Sequence, residues 1–203
     1  MTWGGDGTAT QFLATQYPNV EFICADFSDK LLKSGEEIVK EMGISNLKFK
    51  KVDWYNLDDI RGEFDGVISL QTLSWLSEFK KPLEEIFNKI QPKWIGISSM
   101  FYDGDISTKN EVLEHIMDRY SYYNTYSLPQ ISKLCQDFGY ILASSKDFDI
   151  DIDICMPKNK DRMSTYTIKV DQNEIDKKEE FVKRIQISGP VLMNWKNIYI
   201  KKS

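Results

Sequence analysis

Polar and apolar positions change rhythm along this chain. Over the first two-thirds, short β-branched or aromatic runs alternate with amphipathic helical stretches, as a parallel sheet with crossover helices requires. "VEFICADFS" is a compact apolar run closed by an acid. "SDKLLKSGEEIVKEMG" puts Leu31, Leu32, Gly35, Ile38, Val39 and Met42 on one helical face, with Ser28 as N-cap and Gly43 as terminator. "LKFKKVDW" alternates with period two and ends at Asp53 and Trp54. "FDGVISLQ" and "KWIGISSMFY" are two further strands. Between them a helix carries Leu83, Ile86, Phe87 and Ile90 on one side and stops at Pro92. The small residues in "KWIGISSMFY" suit a crowded central place in a sheet.

Beyond that strand the texture shifts. Residues 108–120 carry Val112, Leu113, Ile116, Met117 and Tyr120 at helical spacing and predict a helix. "SLPQISKLCQDFGY" predicts another, with Ser127 as N-cap, Pro129 in its first turn and Gly139 as its stop. Residues 147–154, "DFDIDIDI", alternate Asp with apolar residues and predict an edge or hairpin strand with one solvated face. A strand spaces same-face carboxylates by about 7 Å, too far to converge on one ion, so no metal site is expected. "STYTIKV" and "EEFVKRIQIS" flank a charged turn as a β-hairpin, and "WKNIYIKK" is a closing strand. The expected fold is α/β: a parallel core with an antiparallel C-terminal hairpin, in one domain over residues 1–203. Residues 1–106 form its ligand-binding core, and residues 107–203 supply covering helices, an extra hairpin and the closing strand.

Composition narrows the function. At 203 residues, 41% of them hydrophobic, the chain can bury a real core. A net charge of −5 argues against general nucleic-acid binding, which needs clustered cations. Cys24, Cys135 and Cys155 are scattered and odd in number, and read as reduced, buried thiols of a cytoplasmic protein. The sequence has no apolar run near the length of a membrane span, so no membrane association is expected.

The candidate chemistry begins at "MTWGGDGTAT". Gly4, Gly5 and Gly7 let a ligand approach backbone N–H groups and a helix N-terminus. The dinucleotide spacing G-x-G-x-x-G fails at its last position, which is Thr10. Asp26 lies about twenty residues on, where a carboxylate can accept ribose hydroxyls. Asp53 closes the next strand. Glycine loop, Asp26 and Asp53 therefore share the C-terminal rim of the sheet, where open α/β sheets bind ligands.

In these features the sequence resembles a class I S-adenosylmethionine-dependent methyltransferase. "GGDGTAT", "FICADFSDKLLKSGEE", "KVDWYNL" and "FDGVISLQTLSWL" match four of that family's motifs in order, over roughly residues 3–100. "WKNIYIKK" matches its antiparallel final strand. The resemblance implies a Rossmann-like sheet and S-adenosylmethionine as cofactor. It places Gly5 and Gly7 at the methionine part, Asp26 at the ribose, and Asp53 and Trp54 at the adenine, with Gly4 and Phe27 also among the cofactor-binding residues. Gln71 and Thr72 then lie near the transferred methyl. Two departures stand out. The family's acid and first glycine fall on Met1 and Trp3, and its first central strand is largely missing, which suggests a truncated start and two unpaired ladders.

The acceptor side rests on less. Tyr102 and Asp103 sit at the rim after the "KWIGISSMFY" strand. His115, the single histidine, is either a solvated surface residue or a base. Tyr122, Tyr123, Asn124 and Tyr126 either wall an acceptor pocket or cover the core. Arg162, with Lys158 and Lys160, sits in a solvated loop or in a lid that grips an anionic acceptor. "YNTYSLP" and "SGPVLMNWKN" also resemble methyltransferases found with bacterial capsule and surface-glycan gene sets, which implies O-methylation of a small phosphorylated or glycan-related acceptor. A nicotinamide-dependent reductase and a non-catalytic cofactor-binding paralogue are the alternatives.

Overall fold

The computed structural model describes residues 1–171 and 182–203. Its main sheet runs β3-β2-β1-β4-β5-β13-β9. The first five of these are β1 (Thr2–Trp3), β2 (Phe22–Asp26), β3 (Leu47–Lys51), β4 (Gly66–Leu70) and β5 (Trp94–Tyr102), and all are mutually parallel. The closing strand β13 (Trp195–Lys202) inserts antiparallel between β5 and β9 (Tyr140–Asp147). Strands alternate their side chains between faces. In β2, Cys24 therefore packs with Ala14 and Val39 of the helices α1 (Thr8–Gln16) and α2 (Asp29–Met42). Ala25 faces the opposite and larger core, with Leu83 of α3 (Lys80–Glu85) and Ile131 of α4 (Leu128–Asp137).

The helix signals read from sequence act as expected. Ser28 Oγ accepts from Leu31 N, Gly43 ends α2 at φ 68°, and Ser127 Oγ accepts from Gln130 N. The apolar face of α2 is narrower than its periodicity suggested. Leu32, Gly35 and Val39 are buried, whereas Leu31 and Met42 are exposed.

Four expectations are corrected. The first central strand is present as two residues, Thr2 and Trp3, which pair with Cys24 and Ala25 on one side and Ile68 and Ser69 on the other. Both side chains are buried, so the strand forms a full if short junction. The 108–120 segment is a β-hairpin, with β6 (Glu111–Glu114) antiparallel to β7 (Arg119–Tyr122) and Asp118 at φ 45° in the turn. Its helical spacing was fortuitous, since Leu113, Ile116, Met117 and Tyr120 are exposed and no core lies against such a face. Glu114 points inward instead, accepting from Met163 N and pairing with Arg119. Residues 148–154 leave the sheet after Asp147, and Asp153 pairs with Lys169 and Arg184 rather than facing solvent alone. Cys24 and Cys135 are buried, but Cys155 is exposed.

The extra hairpin forms β10 (Thr165–Asp171) against β11 (Val182–Ser188), extended by β12 (Val191–Leu192) into an accessory three-stranded sheet. The charged turn expected between them lies outside the described residues. The short strand β8 (Tyr126–Ser127) pairs with the end of β5.

One buried carboxylate sets a pH dependence. Glu85 accepts from Leu57 N at 3.0 Å and from Lys81 Nζ at 2.5 Å. Burial pushes its pKa up, but the Lys81 ammonium and the Leu57 N–H outweigh that and hold it below the ordinary glutamate value. Its contribution is therefore present above the unfolded-state pKa and lost as pH falls through the lower folded-state value. Melting temperature measured from neutral pH into acid should fall more steeply below the ordinary value of 4.5 in the parent than in Glu85→Gln. Parallel curves would mean that Glu85 does not govern acid stability.

Candidate functional site

The strand order places the rim residues side by side. Asp53 follows β3, Asp26 ends β2, the glycine loop follows β1, and Gln71 follows β4, all at the C-terminal ends of adjacent parallel strands. With strands about 4.8 Å apart, the row spans about 14 Å. An elongated ligand lying across the strand ends would meet all four.

The glycine loop is tied to the acid. Asp26 Oδ2 accepts from Gly5 N at 3.0 Å, and Oδ1 accepts from Ser28 N at 2.8 Å. Each oxygen keeps a further lone pair for an outside donor. The loop glycines differ in purpose. A Cβ on Gly4 would meet nothing within 4 Å, and one on Gly5 only Leu31 Cδ1 at 3.8 Å, so these two present open backbone. A Cβ on Gly7 would lie 2.9 Å from the Phe49 ring, and φ there is +78°. That glycine is demanded by the loop's own packing.

Phe27, beside Asp26, is 69% exposed, and Lys51 Nζ lies 5.7 Å from its ring centroid while pairing with Asp29. It offers an apolar plate at the rim. Trp54 does not. It is 5% exposed and packs in the core against Trp3, with ring centroids 4.3 Å apart. Trp3, standing where the resemblance expects glycine, is 1% exposed in the same core and so leaves Gly4 and Gly5 uncovered. Asp53 is exposed and accepts from Tyr55 N through Oδ1. Gln71 is held at φ 59° by its N–H donating to Ser98 O at 2.8 Å, and Thr72 Oγ1 donates back to Leu70 O.

Two supports escaped the sequence reading. Gly35 of α2 lets the loop sit on the helix: a Cβ there would be 2.4 Å from Asp6 O. Its one signal was a small residue on an otherwise apolar face. The turn Leu73–Trp75 after Gln71 is pinned by Ser74, whose N and Oγ both bond Ser99 Oγ while Met100 N donates to Ser74 Oγ. The small residues of "KWIGISSMFY" were the trace of that crowding.

On the acceptor side the tyrosine cluster is mostly core. Tyr123, Asn124 and Tyr126 are buried, and only Tyr122 keeps exposed surface. Asn124 Nδ2 donates to Leu76 O and Tyr126 Oη, and its Oδ1 accepts from Asn110 N. Its polar capacity is spent on structure. Asp103 pairs with the buried Lys196, which also holds Asp147. Tyr102 is exposed at the end of β5 and lines a cleft of about 800 Å³ with Thr108, Lys109, Glu111 and Asn194. His115 sits in the β6–β7 turn, not on a helix. It shares a second cleft, of about 300 Å³, with Lys160 and Arg162. The two clefts have Val112 and Pro190 in common.

Residues 4–183 match the model of a methyltransferase domain. The chain belongs to this methyltransferase family. Among relatives, it is 26% identical over 137 residues to the uncharacterized protein RP028 of Rickettsia prowazekii, covering 66% of this chain and 55% of that one. The chain thus spans about half the length of this curated relative. An S-adenosylmethionine-dependent methyltransferase from Methanosarcina mazei aligns over 99% of this chain and 90% of its own, with TM-score 0.63 and 11% identity. Magnesium protoporphyrin IX methyltransferase from Synechocystis, solved with S-adenosylmethionine bound, aligns over 100% and 68%, with TM-score 0.58 and 13% identity. At such identities the likeness is one of fold. The methyltransferase family has a Rossmann-like fold, and S-adenosylmethionine is the cofactor of that fold. The open glycines, the half-committed Asp26 carboxylate and the exposed Phe27 ring fit an adenosyl cofactor.

Proposed function

We propose that this methyltransferase domain binds S-adenosylmethionine across β3, β2, β1 and β4 and transfers its methyl group to oxygen of a small anionic acceptor, phosphorylated or glycan-related. One observation carries the reading: Gln71 N donates to Ser98 O of β5, and Tyr102, four residues further along that strand, opens the 800 Å³ cleft. In this reading one strand runs from the cofactor rim to the acceptor cleft.

When bound, S-adenosylmethionine supplies an electrophilic methyl on a sulfonium, a good leaving group for in-line displacement. The chain supplies alignment, which alone can account for several kcal/mol of barrier. Gly4 and Gly5 present backbone to the amino-acid end, Asp26 accepts from the ribose hydroxyls, and Phe27 covers one face of the base. Asp53 is placed to accept from the adenine edge, and Gln71 and Thr72 border the methyl. Tyr102 orients the acceptor oxygen with its hydroxyl. Lys160 and Arg162 hold the anionic group in the adjoining cleft, with His115 beside them. No described helix is long and apolar enough to cross a membrane.

The test has two stages. Calorimetric titration should show S-adenosylhomocysteine binding and NAD not binding; binding of NAD alone would reverse the reading. If neither binds, the cofactor reading fails; S-adenosylhomocysteine binding with no acceptor turned over would favour the non-catalytic paralogue. A panel of phosphorylated sugars, assayed by S-adenosylhomocysteine release, should then reveal an acceptor. With that acceptor, Arg162→Ala should raise KM roughly tenfold, about 1.4 kcal/mol of uniform binding, while kcat stays near the parent. An unchanged KM would remove Arg162 from the acceptor site.

A further inference from the structure

Tyr102 lines the 800 Å³ cleft, and the chain on either side of it is fixed. Before it, Phe101 exchanges two bonds with Asn194: Phe101 N donates to Asn194 O, and Asn194 Nδ2 donates to Phe101 O at 3.1 Å. After it, Asp103 pairs at 2.9 Å with Lys196 of β13, whose side chain is only 9% exposed. The bend that follows is tied down again. Asp105 Oδ1 accepts from Ser127 Oγ and from Gln130 Nε2 at the start of α4, and Ser107 Oγ accepts from Ser127 N at 2.9 Å.

Gly104 lies between these two anchored aspartates, and the Tyr102 ring rests against it. A Cβ built on Gly104 would be 2.6 Å from Cε1 of that ring, 3.3 Å from Cδ1 and 3.4 Å from Cζ. Gly104 is not among the glycines with positive φ, so the bend itself does not call for glycine. The ring does. Real Cβ atoms do not come within 3.0 Å of another heavy atom, so a methyl at this position forces something aside. The backbone is pinned through Asp103 and Asp105, whereas the Tyr102 side chain is 46% exposed and has room to swing. The ring is therefore the part that yields.

We propose that Gly104 is a positioning residue for methyl transfer: its missing side chain seats the Tyr102 ring in the cleft and so aims the Tyr102 hydroxyl at the acceptor oxygen. The inference rests on the reading of that cleft as the acceptor site. A ring already held against fixed backbone has little freedom left to lose when an acceptor arrives, which lowers the ordering cost of binding. Gly104 itself touches no acceptor in this arrangement and acts only through Tyr102.

The test uses the full chain labelled with 3-fluorotyrosine, in which the ¹⁹F resonance of Tyr102 is assigned by its loss in Tyr102→Phe. Gly104→Ala should move that resonance in the ligand-free protein, while the melting temperature stays within about 2 °C of the parent. Glucose 1-phosphate is the probe, followed by calorimetry. It should bind Gly104→Ala roughly tenfold more weakly than the parent, the worth of one well-aimed hydrogen bond. Adding Gly104→Ala to Tyr102→Ala should change its affinity no further, since the methyl acts only through the ring. An unmoved ring resonance overturns the positioning role alone, as does an undiminished effect of Gly104→Ala on the Tyr102→Ala background. So does a parent that binds the probe no better than Gly104→Ala. A parent that ignores the probe overturns the acceptor reading of the cleft, and the positioning role with it.

Discussion

Asp26→Ala should lower affinity for S-adenosylhomocysteine by about 2–4 kcal/mol, the worth of two charge-assisted ribose bonds. The structure adds a second reason for a large effect. The same carboxylate accepts from Gly5 N and Ser28 N, so its loss also frees the glycine loop and the entry to α2. Asp26→Asn separates the contributions. Its single carbonyl oxygen can keep one backbone bond while the charge is gone, and its affinity should fall between parent and alanine. Calorimetry on all three decides. Parent-like binding by Asp26→Ala would remove the cofactor from this rim.

The second large effect is expected at a residue that touches no ligand. Gly35→Ala adds a Cβ 2.4 Å from Asp6 O and 2.5 Å from the Phe49 ring. Alanine in a helix interior gains about 0.5–1 kcal/mol over glycine, whereas overpacking typically costs about 1–3 kcal/mol. The clash is with backbone of the cofactor loop, which cannot swing aside as a side-chain tip can, so the cost should win. The melting temperature should drop, and S-adenosylhomocysteine should bind more weakly, because Asp6 lies between Gly5 and Gly7. Gly66→Ala is the instructive control. Its Cβ would meet Trp94 at 2.2 Å, but that neighbour is a side chain remote from the loop. It should lose stability without a matching loss of cofactor affinity. A stable, fully binding Gly35→Ala would show that helix and loop are not locked together.

These two cases mark how far the sequence could be read. Asp26 was legible because its position is local arithmetic: an acid closing an apolar run at a fixed interval from a glycine loop. Gly35 was visible only as a small residue on a helical face. What it lies against depends on how α2 docks on a loop some thirty residues earlier in the chain. The 108–120 hairpin failed for a related reason. Helical spacing predicts a helix only where a core waits for the face, and here Leu113, Ile116 and Met117 meet solvent. Local pattern cannot report whether a partner surface exists.

By itself, the sequence determined the alternation of strands and helices over its first hundred residues, the caps at Ser28 and Ser127, and the acids that close β2 and follow β3. Each follows from periodicity or from backbone chemistry within a few residues. Tertiary structure alone decided that two residues, Thr2 and Trp3, suffice to bridge β2 and β4. It also decided that Trp54 turns into the core and that Asn124 spends its hydrogen bonds on Leu76 and Tyr126. The physical reason is the same throughout. Burial and hydrogen-bond satisfaction are settled between segments distant in sequence, and a side chain's role is fixed by the partner it finds there.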